Sequence, residues 1–277
     1  MTYFGPAPNK EEGGQASPVI LIHDWESDRT QLLQYGKFLQ SRGHAVIVPD
    51  LRGHGESTEV VDLSVKLDAS KFRKNEIASV QKDIERCKKY LVKRNNEGLV
   101  NIDLLSVVAV GKSSVIAVQW VLNDWFAFPS HNIDGIKQGQ DVKSLVLISP
   151  QKKLKGISLM SNIKHPLYTG ASGPAIPMLI VWAENDEESA KDADSLFKLL
   201  EKSRPDVTKI ADEKKREQLT TLYGVPVKNQ SHSAASMMAK PIVNGLWPYT
   251  QKLFALKVDA NKKNFPWKSR EKKEEEE

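Results

Sequence analysis

Cysteine is almost missing from this chain of 277 residues. The only one, Cys87, can form neither an internal disulfide nor a thiolate metal site, and its place in a helical pattern predicts a small buried side chain. No apolar run approaches the ~20 residues that cross a bilayer. The opening segment, MTYFGPAPNKEEGGQASP, also lacks the apolar core of a secretory signal. The expected location is cytoplasmic if this start is native, and secreted or periplasmic if a signal was removed ahead of it. An excess of one charge sign is missing too: 40 basic and 35 acidic residues are interspersed, with a net charge of +5 and no basic stripe of the kind that follows nucleic acid. The lysines at 151–156 and 262–273 read as solvated faces. No histidine pair has metal-site spacing, so neither a metal nor another cofactor is expected, and nothing in the sequence sets an oligomeric state.

What is present is a regular alternation of buried strand and amphipathic helix. After a Gly- and Pro-rich lead-in (1–17), PVILIH (18–23) is a continuous apolar strand. A helix follows with Leu32, Leu33, Phe38 and Leu39 on one face, closing on Gly43, and then the strand AVIVPD (45–50). A long connection (51–73) leads to a helix on which Ile77, Val80, Ile84, Cys87 and Leu91 recur at three- and four-residue spacing. Strands at 104–110, 144–149 and 177–182 and a helix at 187–202 continue the pattern. A polar loop (127–142) and a short, broken connection (150–175) separate them. Beyond these come a possible strand within LTTLYGVPV and an amphipathic segment near 241–257. The end, SREKKEEEE, is a charge block expected to be disordered. Strands apolar at every position are buried on both faces, so the expected fold is a three-layer α/β/α sandwich around a mainly parallel sheet of about six strands. It would occupy 18–258, with 259–277 as a charged tail.

The stretch LLSVVAVGKSSVIAV (104–118) holds a glycine-containing turn between strand and helix. A phosphate loop there would need G-x-x-x-x-G-K-[ST], with open backbone N–H groups between the two glycines. Position 106 is serine, and residues 106–110 are a β-branched run whose amides belong to a sheet, so nucleotide binding is set aside. The other motif that sits in such a place is the bend G-x-S-x-G, which presents a nucleophilic serine. Aligned on Gly111, it makes Ser113 the candidate nucleophile, with Val115 where a small residue belongs. The plain alternative for Ser113 is a helix cap.

The segments LIHDWESDR, VIVPDLRGHGES, AVGKSSVIA and MLIVWAENDEES resemble the α/β-hydrolase superfamily in order and spacing over residues 18–190, in a reduced form without the usual antiparallel first strands. The resemblance implies a serine hydrolase cleaving a carboxylic ester or related acyl bond of a small-molecule substrate. Ser113 would attack, His232 would act as base, and Asp186 would orient it. The backbone N–H groups of Ser114 and Trp25 would form the oxyanion hole. His54 would shape a loop, and His23 would end the first strand beside that hole. Asp186 could equally be a helix cap, and His232 a solvated histidine in a Ser-rich loop. Two departures point the other way. Val115 crowds the bend, and Asp24 puts a carboxylate where the superfamily commonly has glycine, unless it turns away or finds a partner such as Arg29. The alternative is therefore a catalytically inactive protein of this fold with a binding or structural role, whose residues Trp25, Trp120, Trp125 and Trp182 line a pocket or, by default, fill core.

Overall fold

The computed structural model describes residues 1–6, 16–60, 63–126, 137, 139–228, 250, 251, 253–258, 260 and 262–271. In chain order these form β1 (Thr2–Phe4), β2 (Pro18–Ile22), α1 (Leu33–Ser41), β3 (Ala45–Val48) and a small hairpin of β4 (Glu59–Val60) and β5 (Leu63–Lys66). Then come α2 (Lys74–Ser79), α3 (Gln81–Asn96), β6 (Leu105–Val110), α4 (Ser114–Phe126) and β7 (Val142–Ile148). A second hairpin, β8 (Lys153–Leu154) and β9 (Ile157–Ser158), precedes α5 (Leu159–Ile163), α6 (Pro166–Thr169), β10 (Met178–Ala183), α7 (Glu187–Ser203), α8 (Glu213–Leu219) and β11 (Leu222–Val227).

Seven strands make the main sheet, in the order β1-β3-β2-β6-β7-β10-β11. Among the described strands of this sheet only β1 runs antiparallel, pairing Tyr3 with Ile47. The sheet therefore exceeds the expected six strands by an edge strand hidden in the segment read as lead-in, and one of the antiparallel first strands thought missing is present in shortened form. The possible strand in LTTLYGVPV is real: β11 pairs in parallel with β10, Ile180 opposite Gly224.

Alternation of side chains sends the two halves of each strand to opposite faces. Ile20, Ile22, Val107, Ala109, Leu145, Leu147 and Ile180 pack with α3, α4 and α7 through Ile84, Leu91, Val118, Val121, Leu196 and Leu200. Val19, Leu21, Val108, Val110, Val146, Ile148 and Val181 pack with α1 and residues 253–258 through Leu39, Tyr35, Leu253 and Phe254. At ~1.5–3 kcal/mol for each fully buried aliphatic side chain, these two layers explain why no polar period appears in the central strands. The one polar pair within them, Ser106 and Ser144, satisfies itself by a hydroxyl–hydroxyl hydrogen bond of 2.8 Å across β6 and β7. Cys87 is buried in the first layer, as are Trp25, Trp120 and Trp182, which fill core as the default reading expected.

The tail is not free over its whole length. Trp267 Nε1 donates to Asn95 O (3.0 Å) and Arg270 N to Asn96 Oδ1 (2.8 Å), and the Arg270 guanidinium pairs with Asp141 and Asp103 at 2.8 and 3.2 Å. The expected disorder of SREKKEEEE is thus corrected for Ser269, Arg270 and Glu271; residues 272–277 lie outside the described residues. No helix among the described residues is long and apolar enough to cross a membrane.

Candidate functional site at the carboxyl rim of the sheet

Parallel strands β2 and β6 are neighbours, Ile22 opposite Ala109, so the loop after β2 and the turn after β6 meet at the rim. That rim is where parallel α/β sheets place their ligands. The turn after β6 is a single 3-10 turn, Gly111–Ser113, running straight into α4. Its one left-handed residue is Gly111, with φ of +55°; Ser113 does not share that conformation. The apex of the bend therefore falls on Gly111, two residues before the position expected for the nucleophile.

This shift re-registers the motif. With Gly111 at the apex, the small residues two before and two after are Ala109 and Ser113, and Val115 lies clear of the crowded turn, buried in the core on α4. Ser113 is fully buried, and its Oγ has no hydrogen-bond partner among the described residues. The Ser114 N–H, expected in the oxyanion hole, instead donates within the turn to Gly111 O and Lys112 O.

Asp24 fills the space above the apex. Its Oδ1 accepts from Trp25 N at 2.7 Å and from Lys112 N at 2.9 Å. These two amides, one after the first parallel strand and one directly after the apex, are the pair that an oxyanion hole at this bend would use. A Cβ added to Gly111 would lie 2.3 Å from Cγ and from both carboxylate oxygens of Asp24, so no side chain fits at the apex while Asp24 is there. Trp25 N is at the rim as expected, but it is engaged. Burial raises the Asp24 pKa above the ordinary carboxylate range, and the two amides and the nearby Lys112 charge offset only part of this.

Arg29 is not the partner of Asp24. Its guanidinium pairs with Asp50 and with Glu56, the latter at 2.7 Å. Asp50 also accepts from Arg29 N (2.8 Å) and Glu56 N (3.1 Å), and Arg52 pairs with Asp83 at 2.7 Å. The segment 49–57 is thus a loop tied by its own charges. His54 closes it, its two ring nitrogens facing Arg52 O and Trp25 O, which fits the loop-shaping role expected of it. His23 is wholly buried: Nε2 accepts from Leu51 N at 3.1 Å while Nδ1 donates to Asp24 O at 2.7 Å. Burial brings its pKa down to about 4, so it stays neutral near pH 7.

Asp186 begins α7 as its N-cap, Oδ1 accepting from Ser189 N at 3.4 Å, the plain alternative named for it. His232 lies outside the described residues. A feature the sequence did not expose is Ser149, a non-glycine residue with φ of +45° at the end of β7, whose hydroxyl is buried without a partner among the described residues. Such a conformation carries strain.

No protein-family model matches the chain, and no curated protein matches it in sequence. Solved structures do. Among them are the alpha/beta hydrolase GrgF from Penicillium sp. sh18 (TM-score 0.55, 10% identity, 92% of this chain and 93% of that one), MenH from S. aureus (0.51, 12%, 91% and 98%) and a thermophilic esterase from Thermogutta terrifontis (0.50, 13%, 91% and 98%). With the sheet order and the strand–turn–helix bend described above, these likenesses show that the chain has the α/β-hydrolase fold. At such identities they speak for the fold alone.

Proposed function

We propose that this chain is a non-catalytic protein of the α/β-hydrolase fold with a binding or structural role, its carboxyl rim held shut by Asp24. The observation that supports this reading is the single oxygen Asp24 Oδ1 accepting from both Trp25 N and Lys112 N, over an apex glycine that offers no nucleophile. Acyl transfer needs a hydroxyl, thiol or carboxylate at the attacking position, a base in reach of it, and amides free to receive the developing negative charge. Gly111 has no side chain to attack with, and both amides already donate to an oxygen of the chain's own.

The competing reading is cleavage of a small acyl substrate by Ser113, Asp186 and His232. It requires Ser113 to leave its buried site. Treatment with a fluorophosphonate probe, followed by mass mapping of wild type and Ser113→Ala, separates the two. No labelling of the folded wild type is expected. Labelling confined to Ser113 and lost in Ser113→Ala would overturn the proposal and reinstate the hydrolase. Asp24→Gly alone frees both amides but leaves glycine at the apex, so it too is expected to stay unlabelled.

A further inference from the structure

Between the far end of α4 and α6 lies an open cavity of about 280 Å³, walled by Trp125 and Phe126 of α4 and by His165, Pro166, Leu167 and Pro174 around α6. We propose that this cavity binds a small neutral aromatic molecule carrying one carbonyl, its ring held by the apolar walls and its oxygen by the His165 Nε2–H. The inference is independent of whether the carboxyl rim is catalytic. Helix α4 begins at that rim with Ser114 and reaches Phe126 about 18 Å further along its axis.

The lining has the make-up of a small-molecule site, apolar walls with few polar groups placed to fix orientation. Phe126 keeps 57% of its surface exposed and meets the His165 ring edge to face, the ring centres 4.8 Å apart. An aromatic ligand adds a further ring to this pair in the geometry such rings prefer. The polar group is set by the backbone. His165 is the N-cap of α6, and its Nδ1 accepts from Leu167 N at 3.1 Å. A neutral imidazole that accepts at Nδ1 carries its proton on Nε2, and no acceptor among the described residues takes that proton. No charged side chain lines the cavity among the described residues, so a ligand ion would lose its water without gaining a partner, whereas a carbonyl needs only the one donor. The volume suits a fragment of about ten non-hydrogen atoms.

The walls are fixed in advance. Asp124, near the end of α4, pairs with Lys88 and accepts from Asp141 N (2.9 Å) and Val142 N (3.2 Å), and Lys88 also reaches Asp141 at 2.8 Å. Next to it, Trp125 Nε1 donates to Val142 O at 3.0 Å, while Lys143 Nζ stands 5.4 Å from the Trp125 ring centre and 4.5 Å from that of Phe265. At α6, the Tyr168 hydroxyl donates to Val118 O at 2.6 Å and ties the two helices together. Arg204 donates to Tyr168 O (2.9 Å) and Ile176 O (3.1 Å), bracing both ends of the loop between them. A site held this way loses little freedom when a ligand enters.

Titration of the wild-type protein with acetophenone, followed by backbone and indole NMR, tests this, with α-methylstyrene, in which CH2 replaces the carbonyl oxygen, as the matched probe. Saturable shifts are expected at residues 125, 126, 167 and 173 and at the Trp125 indole N–H, with a Kd of about 1 mM or tighter. His165→Asn keeps an acceptor for Leu167 N, but its shorter amide does not reach the place of Nε2. It is expected to weaken acetophenone about fivefold more than α-methylstyrene. Phe126→Ala should weaken both probes about fivefold, and Leu219→Ala, at an exposed apolar position on α8, should leave both within about twofold. Shifts that grow linearly, equal losses of the two probes in His165→Asn, or equal effects of Phe126→Ala and Leu219→Ala would overturn the proposal. So would shifts at the same residues that follow protein concentration without any probe, which would assign the patch to a second copy of the chain.

Discussion

At its carboxyl end the sheet closes over one carboxylate shared by two amides, while at its amino end three cations, Lys88, Lys137 and Arg270, meet three carboxylates, Asp103, Asp124 and Asp141. The first end is where parallel α/β sheets hold ligands, and here it is filled by a side chain of the chain itself. The second end carries no such expectation, and its charges are spent on one another. The fold dictates where a site can be built, but the residues at each end decide whether that place is occupied, closed or open.

The difference is broken most severely at the amino end. Lys88→Met removes the cation that Asp124 and Asp141 share and leaves two buried carboxylates short of a partner. Breaking a buried pair from one side costs about 3–5 kcal/mol, so the urea midpoint of unfolding is expected to fall by an amount that threatens folding at 37 °C.

A smaller but more diagnostic loss is expected at the rim. Gly111→Ala forces a Cβ into a left-handed residue and against the Asp24 carboxylate, at a combined cost of about 2–4 kcal/mol. Asp24→Gly removes the collision, so the double variant should recover at least ~1 kcal/mol relative to additivity in a double-mutant cycle. Additive losses would mean that the two residues do not share the space that closes the rim.

The charges that most distinguish the two ends were also the least legible in the sequence. The strands β2, β3, β6, β7 and β10 are plain because burial on both faces leaves them continuous apolar runs, broken only by Ser106 in β6 and by Lys143 and Ser144 at the start of β7. Edge strand β1 is not: three half-buried residues followed by Gly5-Pro6 carry no such run. The end of β6 at Val110 is legible in the sequence, whereas G-x-S-x-G aligned on Gly111 puts the bend at Ser113, two residues beyond the left-handed glycine. The signal was available. A strand that stops at Val110 demands its reversal at the next residue, and a left-handed reversal there favours glycine. Asp24 was recognised as a departure, but its acceptance from Lys112 N spans 88 residues of chain, and Arg29 was drawn away to Asp50 and Glu56. Arg270 finds Asp141 across 129 residues, beyond the reach of any local pattern.

Lys143 sharpens the amino end through pH. Its folded pKa of about 8 lies below the ordinary lysine value, so the folded protein binds its proton less tightly than the unfolded chain does. Stability therefore rises with pH from about 8 until the unfolded lysine titrates near ~10.4, and the full cost of the buried charge is present below 8. Lys143→Met keeps the stem against Trp125 and Phe265 and removes the charge. It is expected to stabilise by about 1–2 kcal/mol at pH 7 after allowance for partial solvent contact, a gain that fades above pH ~10.

The least of these effects asks what holds the rim shut, the charge of Asp24 or the shape of its acceptor. Asparagine presents the same Oδ1 to Trp25 N and Lys112 N without a charge to bury. Because the folded pKa of Asp24 is raised, its ionisation costs stability as pH climbs from the unfolded carboxylate value through the folded one, and that cost is complete above both. Asp24→Asn should therefore leave the wild type behind by about 0.5–1 kcal/mol at pH 7 and match it below pH ~3, where the acid is protonated in both states. Urea unfolding at the two pH values measures this. A variant less stable than wild type at pH 7 would show that the carboxylate charge, drawn by the start of α4 and by Lys112, closes the rim, and that the two amides hold an anion and not merely an oxygen.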